Sequence, residues 1–250
     1  MNNPLMTIVT VTYYNDFGLL ERQLKSMQEF LQGNFLHYVI LNDDYGYMPQ
    51  LKLIVAKFDK LNVVVLDKSN VCANLTDHHG WHDQQILKLE IARLIGTEYY
   101  LILDSKDYLI ESFTPLSLIN GERYVGSTEF ADVMQSTGSH SHGAYRIYLF
   151  WSYAIFNLVA KPGIPVMRTH TPAIFKTKHV LSMLEHLYTR GIQLKDIIGI
   201  SILLERDVAC CEFFLYSAWL TKNNLLDEVM WNNETVVVPE IAFTYDHKRN

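Results

Sequence analysis

Three β-branched runs alternate with two helical stretches in the first 67 residues, and few architectures accommodate that alternation. The runs are Met6–Val11 (MTIVTV), His37–Leu41 (HYVIL) and Asn62–Leu66 (NVVVL). The first is continuous rather than alternating in polarity, the pattern of a strand buried on both faces, and the other two read as further strands. Between the first two, Leu20, Leu24, Met27 and Leu31 recur at spacings of four, three and four. That stripe predicts a helix running to Gln32, with Asp16 as its N-cap and Gly33-Asn34 as its stop. A second helix begins at Pro49 and runs to about Phe58. The order β-α-β-α-β implies a parallel sheet with helical crossovers, whose ligands lie outside the carboxyl ends of the strands.

Further along, Ser69 to His82 reads as polar and irregular, and Asp83 to Ile95 as helix. Glu98–Leu103 (EYYLIL) is a fourth strand running into Asp104-Ser105-Lys106-Asp107. Ser112 to Gly143 has the pattern of loops and short strands. A helix is expected over Tyr145–Leu158, a strand over Pro172–Lys176, and helices over His179–Thr189, Lys195–Glu205 and Glu212–Asn223. A last apolar run (VVVPEIAF) lies in the tail between Thr235 and Tyr245.

Composition removes several classes. With 49% hydrophobic and 19% charged residues, the chain has too much apolar surface to remain disordered. Lys and Arg number 21 against 27 Asp and Glu, a net −6 without a basic run, so no nucleic-acid partner is expected. Cys72, Cys210 and Cys211 form neither a disulfide framework nor a C-x-x-C pair. The apolar run between Arg146 and Lys161 (IYLFWSYAIFNLVA) is 14 residues long, short of the roughly 20 a bilayer span requires. It reads as a buried core helix, with a membrane-surface helix as the alternative. Met1–Met6 lacks the pattern of a signal peptide. A cytoplasmic protein without a transmembrane segment is therefore expected.

Three polar loops converge at the carboxyl edge: Thr12–Asp16, Asn42–Asp44 and Asp104–Asp107. None carries G-x-G-x-x-G or G-x-x-x-x-G-K-[ST], so neither a dinucleotide fingerprint nor a P-loop is present. Acid at strand ends can accept hydrogen bonds from a ribose or hold a hard cation through oxygen. It can also simply make a turn or a cap, and for Asp43 or Asp44 alone that is the simpler reading. In the helix after Gly80, Gln84 and Lys88 are four residues apart and share a face, with Trp81 one turn earlier. Asp77, His78, His79 and His82, with His140 and His142, lack the cysteine or H-E-x-x-H context of a zinc site, and His78, His79, His140 and His142 fit loops near an acceptor pocket better.

The segment GWHDQQILKLEIARLIGTEYYLILDSKD resembles a bacterial and viral group of GT-A-fold glycosyltransferases. The matching residues are Gly80, Trp81, Gln84, Gln85, Lys88 and Leu89, then Leu103, Asp104, Ser105 and Lys106. Thr171-Pro172 before a strand and Glu212, Leu215 and Tyr216 opening a helix match as well. The resemblance spans about Thr7 to Asp246 and weakens over residues 112–165. It implies an α/β, Rossmann-like GT-A domain over residues 1–250, with a mixed, mainly parallel sheet flanked by helices. Residues 1–107 would be its nucleotide-binding half and 108–250 its acceptor-binding half.

The same resemblance implies a donor site of Thr12, Tyr14, Asp43, Asp44, Trp81, Gln84, Gln85, Lys88, Asp104, Ser105 and Lys106. It implies a divalent metal, Mn²⁺ or Mg²⁺, on Asp104 with His247 (or Asp246) as a further ligand. Glu212 would be general base, although an acid there is also favoured by the helix dipole. GT-A enzymes place an Asp-x-Asp where this chain has Asp104-Ser105-Lys106; a lysine cannot ligate the metal, so either Asp104 binds it with help from elsewhere or Lys106 meets part of the diphosphate charge.

The expected activity is transfer of a sugar from a nucleotide-diphosphate sugar to a hydroxyl of a glycan or lipid-linked acceptor, as in surface polysaccharide synthesis. Peripheral contact with a membrane is left open. Two other readings stand beside it. A nucleotidyltransferase would show a Gly-rich basic loop where this chain has Thr12–Asp16. A non-catalytic carbohydrate-binding protein of the same fold is kept in view by Lys106.

Overall fold

The computed structural model describes residues 6–73, 75, 80–120, 123–124, 128–130, 140–161, 165–167, 169, 171–198, 210–229 and 243–245. Its centre is a five-stranded sheet. The strands are β1 (Met6–Thr12), β2 (Leu36–Leu41), β3 (Asn62–Asp67), β4 (Tyr99–Asp104) and β10 (Ala173–Lys176), in the order β10-β4-β1-β2-β3. β1, β2, β3 and β4 run parallel, and β10 joins the β4 edge antiparallel, with Ala173 opposite Ile102 and Lys176 opposite Tyr99. Every residue of β1 is buried, as expected for a central strand covered on both faces.

Helices α1 (Phe17–Phe30) and α2 (Met48–Val55) cover one face, packing Phe17, Leu20, Leu24, Leu51 and Ile54 against Val39 and Leu41. The other face is covered by α4 (Gly80–Glu90), α6 (Thr177–Thr189) and α8 (Glu212–Lys222), which enclose Ile86, Leu89, Val180, Met183 and Phe214 with the β4 side chains. Helix α5 (His140–Ala154) packs on α8 through Tyr148, Leu149, Ser152 and Tyr153. Two shorter helices, α7 (Leu194–Ile197) and α9 (Leu226–Val229), complete that half. After β4 the chain makes β5 (Asp107–Leu109) and, later, the small pairs β6 (Ile119–Asn120) with β7 (Arg123–Tyr124) and β8 (Thr128–Phe130) with β9 (Pro165–Met167). The tail strand β11 (Phe243–Tyr245) returns antiparallel to β5, with Tyr245 opposite Asp107.

The four large strands and the β10 strand lie where the apolar runs predict them, and the differences have local causes. Asp16 occupies the N-cap of α1 but does not cap it with its side chain, because a 3₁₀ turn over Tyr14–Asp16 leads the chain into the helix. The stretch expected to be irregular from Ser69 opens with a turn of helix, α3 (Lys68–Val71). Asp67 there accepts from the Ser69 N–H while its own N–H donates to Asn70 Oδ1. Helix α4 starts at Gly80 rather than Asp83. Of the helix expected over Lys195–Glu205, the described part is α7, after which Ile198 bridges to Cys210. The rest of that helix and most of the 235–245 run lie outside the described residues. The run expected to be a buried core helix is buried on one side only: Ile147 and Phe150 of α5 are exposed.

One buried polar chain ties the sheet to α1. His37 Nε2 lies 2.9 Å from Thr10 Oγ1, which donates to Gln23 Oε1 at 2.9 Å. Because the Thr10 hydroxyl proton is used on Gln23, His37 must donate through Nε2, which leaves Nδ1 bare and without a partner. A proton there would be a dry, unpaired charge, and burial lowers the His37 pKa to about 3 from 6.5. Between those values the unfolded chain holds a proton that the folded chain does not. Stability therefore falls as pH drops below 6.5, by up to about 1.4 kcal/mol per pH unit from this residue. Urea unfolding of His37→Gln between pH 7 and 4 is expected to show a shallower acid loss than the parent chain.

Candidate active site

Strand β4 ends at the carboxyl edge, next to β1 with Asp104 opposite Val11. The residues after it fold back so that Asp107 Oδ2 accepts the Asp104 N–H at 2.8 Å. The turn is fixed from below by Gln23 of α1, whose Nε2 donates to the carbonyls of Asp104 (2.7 Å) and Asp107 (2.8 Å). With Thr10 on its Oε1, this buried amide is fully engaged. Gln23 is absent from the sequence-derived site. Within an amphipathic stripe a glutamine reads as surface, and only its position between Leu20, Leu24 and Met27 signals burial.

The turn presents Asp104 to α4. Gln84 Nε2 and Lys88 Nζ both donate to Asp104 Oδ1 at 3.0 Å, as their shared helix face predicts. Lys88 Nζ also reaches Glu212 Oε1 at 3.4 Å, where α8 begins. Lys106 Nζ stands 3.6 Å from Asp104 Oδ2 and is 40% exposed at the mouth. Asp104, Gln84, Lys88, Lys106 and Glu212 thus form one connected set drawn from a strand end, a helix face and a helix N-terminus. Trp81, 44% exposed, lies one turn earlier on α4 with its ring 6.1 Å from that of Tyr148 on α5.

The other predicted site residues separate into two groups. At the same edge, Tyr14 is exposed after β1 and stacks on Tyr47 after β2, centroids 4.6 Å apart. Thr12 is buried with no partner for its hydroxyl. Asp43 accepts the Tyr45 N–H in a local turn, and Asp44 pairs with Lys68 at 2.6 Å. Turned inward are Gln85, which is buried with Nε2 3.5 Å from the Trp81 carbonyl, and Ser105, whose hydroxyl lies 3.5 Å from the Val11 carbonyl. Both occupy packing positions behind the site. Asn42, not singled out from sequence, donates to the Gly80 carbonyl at 2.7 Å and joins the end of β2 to the start of α4. His247, Asp246, His78 and His79 lie outside the described residues, as do the side chains of His140 and His142.

The three carboxyls differ in ionisation. Burial works against the Asp104 charge, but Lys88 and then Lys106 outweigh it and hold its pKa below the usual range. Burial, with the Asp104 charge, pushes Asp107 up to about 6. Burial raises Glu212 as well, and Lys88 only partly offsets it. Lys88 is itself desolvated, yet Asp104 and Glu212 keep it charged, with its pKa above the usual lysine range.

A divalent cation is compatible with this donor set. Asp104 Oδ1 is committed to two donors, while Oδ2 stands 3.6 Å from Lys106, which is 40% exposed. Three carboxylates face two ammonium groups, so the set carries a formal negative excess. Among the described residues no group of three His, Cys, Asp or Glu surrounds a common point. The protein's share from these residues is then one hard oxygen ligand, in keeping with Mg²⁺ bound by one or two carboxylates plus substrate phosphates.

A profile of DUF6492, a family of unknown function, matches residues 5–249. The chain belongs to that family. Comparison with curated proteins finds no match. Among solved structures, the galactosyltransferase LgtC, in complex with donor and acceptor sugar analogs, is similar at a TM-score of 0.51 and 11% identity. The likeness covers 85% of this chain and 70% of LgtC. The bifunctional glycosyltransferase WbbM is similar at 0.51 and 12% identity, over 92% of this chain and 40% of WbbM. TarS of S. aureus in complex with UDP overlaps at 0.31 and 18% identity, over 43% of this chain and 29% of that structure, too little to bear on the fold. The family member has the mixed, mainly parallel sheet of the GT-A glycosyltransferases.

Removing the central ammonium tests the geometry. In Lys88→Met both Asp104 and Glu212 would lose their buried counter-charge, at a cost of about 3 kcal/mol at pH 7. Unpaired, the two carboxyls would take up protons more readily folded than unfolded, so lowering the pH favours the fold of the variant. Denaturant unfolding at pH 7 and pH 5 is expected to show a deficit that shrinks at the lower pH.

Proposed function

We propose that this protein is a glycosyltransferase that moves a sugar from a nucleotide-diphosphate sugar to a hydroxyl of a glycan or glycolipid acceptor. The observation that carries the reading is the convergence of Asp104, Lys88 and Glu212 at the carboxyl end of a GT-A-type sheet, with exposed Lys106 beside them.

In this reading Asp104 and Lys106 face the donor diphosphate. Lys106 exchanges its 3.6 Å contact with Asp104 for a phosphate oxygen, a point-charge contact suited to an ammonium. Thr12, Tyr14, Asp43 and Asp44, at the ends of β1 and β2, meet the base and ribose. Trp81 offers the ring face against which a sugar stacks. Gln84 and Lys88 hold the Asp104 carboxylate in one orientation, so that charge stabilisation is preorganised.

Glu212 is the general base. A buried carboxyl with a raised pKa is a better proton acceptor near neutrality than an ordinary one. Asp104 would hold the divalent metal, and His247 is proposed as a second ligand because it follows by two residues Tyr245, which pairs with Asp107. When bound, that ion supplies positive charge to the leaving diphosphate. We place the activity in cytoplasmic synthesis of a surface polysaccharide or related glycan.

The test is a hydrolysis and transfer screen over UDP-, GDP- and CDP-sugars, with and without Mn²⁺, followed by chromatography of the released nucleotide. Asp104→Asn is expected to lower turnover about 100-fold or more while the circular dichroism is kept. Full turnover in that variant would remove Asp104 from the site. Absence of turnover in the parent, with no calorimetric binding of UDP, GDP or CDP, would make the protein a non-catalytic member of the fold.

A further inference from the structure

The 27 Asp and Glu residues of this acidic chain are unevenly placed. None lies between Asp132 and Glu185, a stretch that holds Arg146, Lys161, Arg168, Lys176 and Lys178. Within it, α5 and the segment after it are apolar on both sides. Tyr148, Leu149, Ser152, Tyr153 and Phe156 face the core. The opposite side carries Ile147, 38% exposed, and Phe150, 56% exposed, followed after the helix by Val159, 74% exposed. Ile147 and Phe150 are three residues apart on one stripe, which Trp151 and Ala154 continue without a charge. Among the described residues nothing covers the Ile147 and Phe150 side of this segment, whereas an apolar helix stripe normally faces a core.

The sequence around that open face carries cations and no acid. Arg146 and Lys161 bracket the run in sequence. From the neighbouring helices, Arg190 donates to the Ile155 carbonyl at 2.9 Å and Lys222 to the Phe156 carbonyl at 3.4 Å, which sets two more positive charges at the helix end. Exposed aliphatic and aromatic side chains on a segment whose only charges are Lys and Arg fit the interface of a bilayer bearing anionic headgroups: the rings and methyls enter the acyl boundary and the cations meet phosphate.

We propose that the outer face of α5 docks this protein on an anionic lipid bilayer. The proposal stands apart from the catalytic reading, since it rests on surface chemistry alone. It also places the membrane next to the candidate site, because Tyr148 of the same helix lies against Trp81. An acceptor carried by a lipid would then arrive from the side on which Trp81 is exposed.

Co-flotation of the full chain with vesicles tests this. Binding is expected to vesicles of phosphatidylcholine containing about one third phosphatidylglycerol, to weaken as salt rises from about 0.1 M to about 0.5 M, and to be negligible with phosphatidylcholine alone. The double substitution Ile147→Ser with Phe150→Ser is expected to lower binding about tenfold with unchanged circular dichroism, and Lys161→Glu to lower it less. No flotation with either vesicle, equal flotation with both, or a double variant that floats like the parent would each overturn the proposal. So would sedimentation equilibrium showing a dimer that the double substitution dissociates, together with no vesicle binding, since a second copy would then cover the face.

Discussion

A single ammonium group, Lys88 Nζ, holds the candidate site together. It lies between the carboxylate that ends β4 and the carboxylate that begins α8, groups 108 positions apart in sequence, and is itself almost wholly buried. Such an arrangement is a poor source of net stability, because desolvating three charges offsets most of their attraction. Its effect is on geometry. With the charge of Lys88 in place, Asp104 and Glu212 can neither separate nor turn away without leaving a charge unpaired in a dry setting. The two halves of the chain are thereby held in register at the point where their chemistry meets.

Support from beneath is of another kind. Gln23 carries no charge, yet its amide joins the backbone on both sides of the Asp104 turn to a hydroxyl in β1 and, through that, to an imidazole in β2. Every hydrogen in that chain has one acceptor, so the donors all point from His37 toward the turn. Charge from above and a directed hydrogen-bond chain from below fix one short loop. The three carboxyls on and around it acquire different proton affinities from position alone: Asp104 beside two lysines, Asp107 beneath it, Glu212 in the interior.

Most of this frame was legible in the sequence, and the rest was not for identifiable reasons. Continuous β-branched runs mark strands, and the strands lie where the runs lie, but burial follows place in the sheet: central β1 is buried throughout, while edge strand β3 has no buried residue. The i, i+4 relation of Gln84 and Lys88 is a property of any helix and carries into the structure unchanged. Contacts between distant segments have no such local signature. Nothing in the pattern around Glu212 distinguishes a side chain turned inward to Lys88 from one left at a solvated helix start. The spacing that groups Gln85 with Gln84 does not show that one faces the strand end and the other the interior. Gln23 and Asn42, both polar in otherwise ordinary settings, acquire their importance only from carbonyls that the fold brings to them. The sequence likewise shows that the run after Arg146 is apolar, but not that, among the described residues, only one side of it is buried.

The reversed strand β10 shapes the molecule in a way that its four residues do not suggest. A strand running with its neighbours would enter at the amino edge and send its outgoing chain over the opening above Asp104. β10 enters from the opening and leaves below it, with Lys176 beside Tyr99 at the far end of the sheet. Thr171-Pro172 therefore stands at the mouth where β10 begins, and α6 starts from the far edge of the sheet. By inverting one ribbon, the C-terminal half sets Thr171 beside the entrance and launches its next helix from the opposite edge with the same short piece of chain.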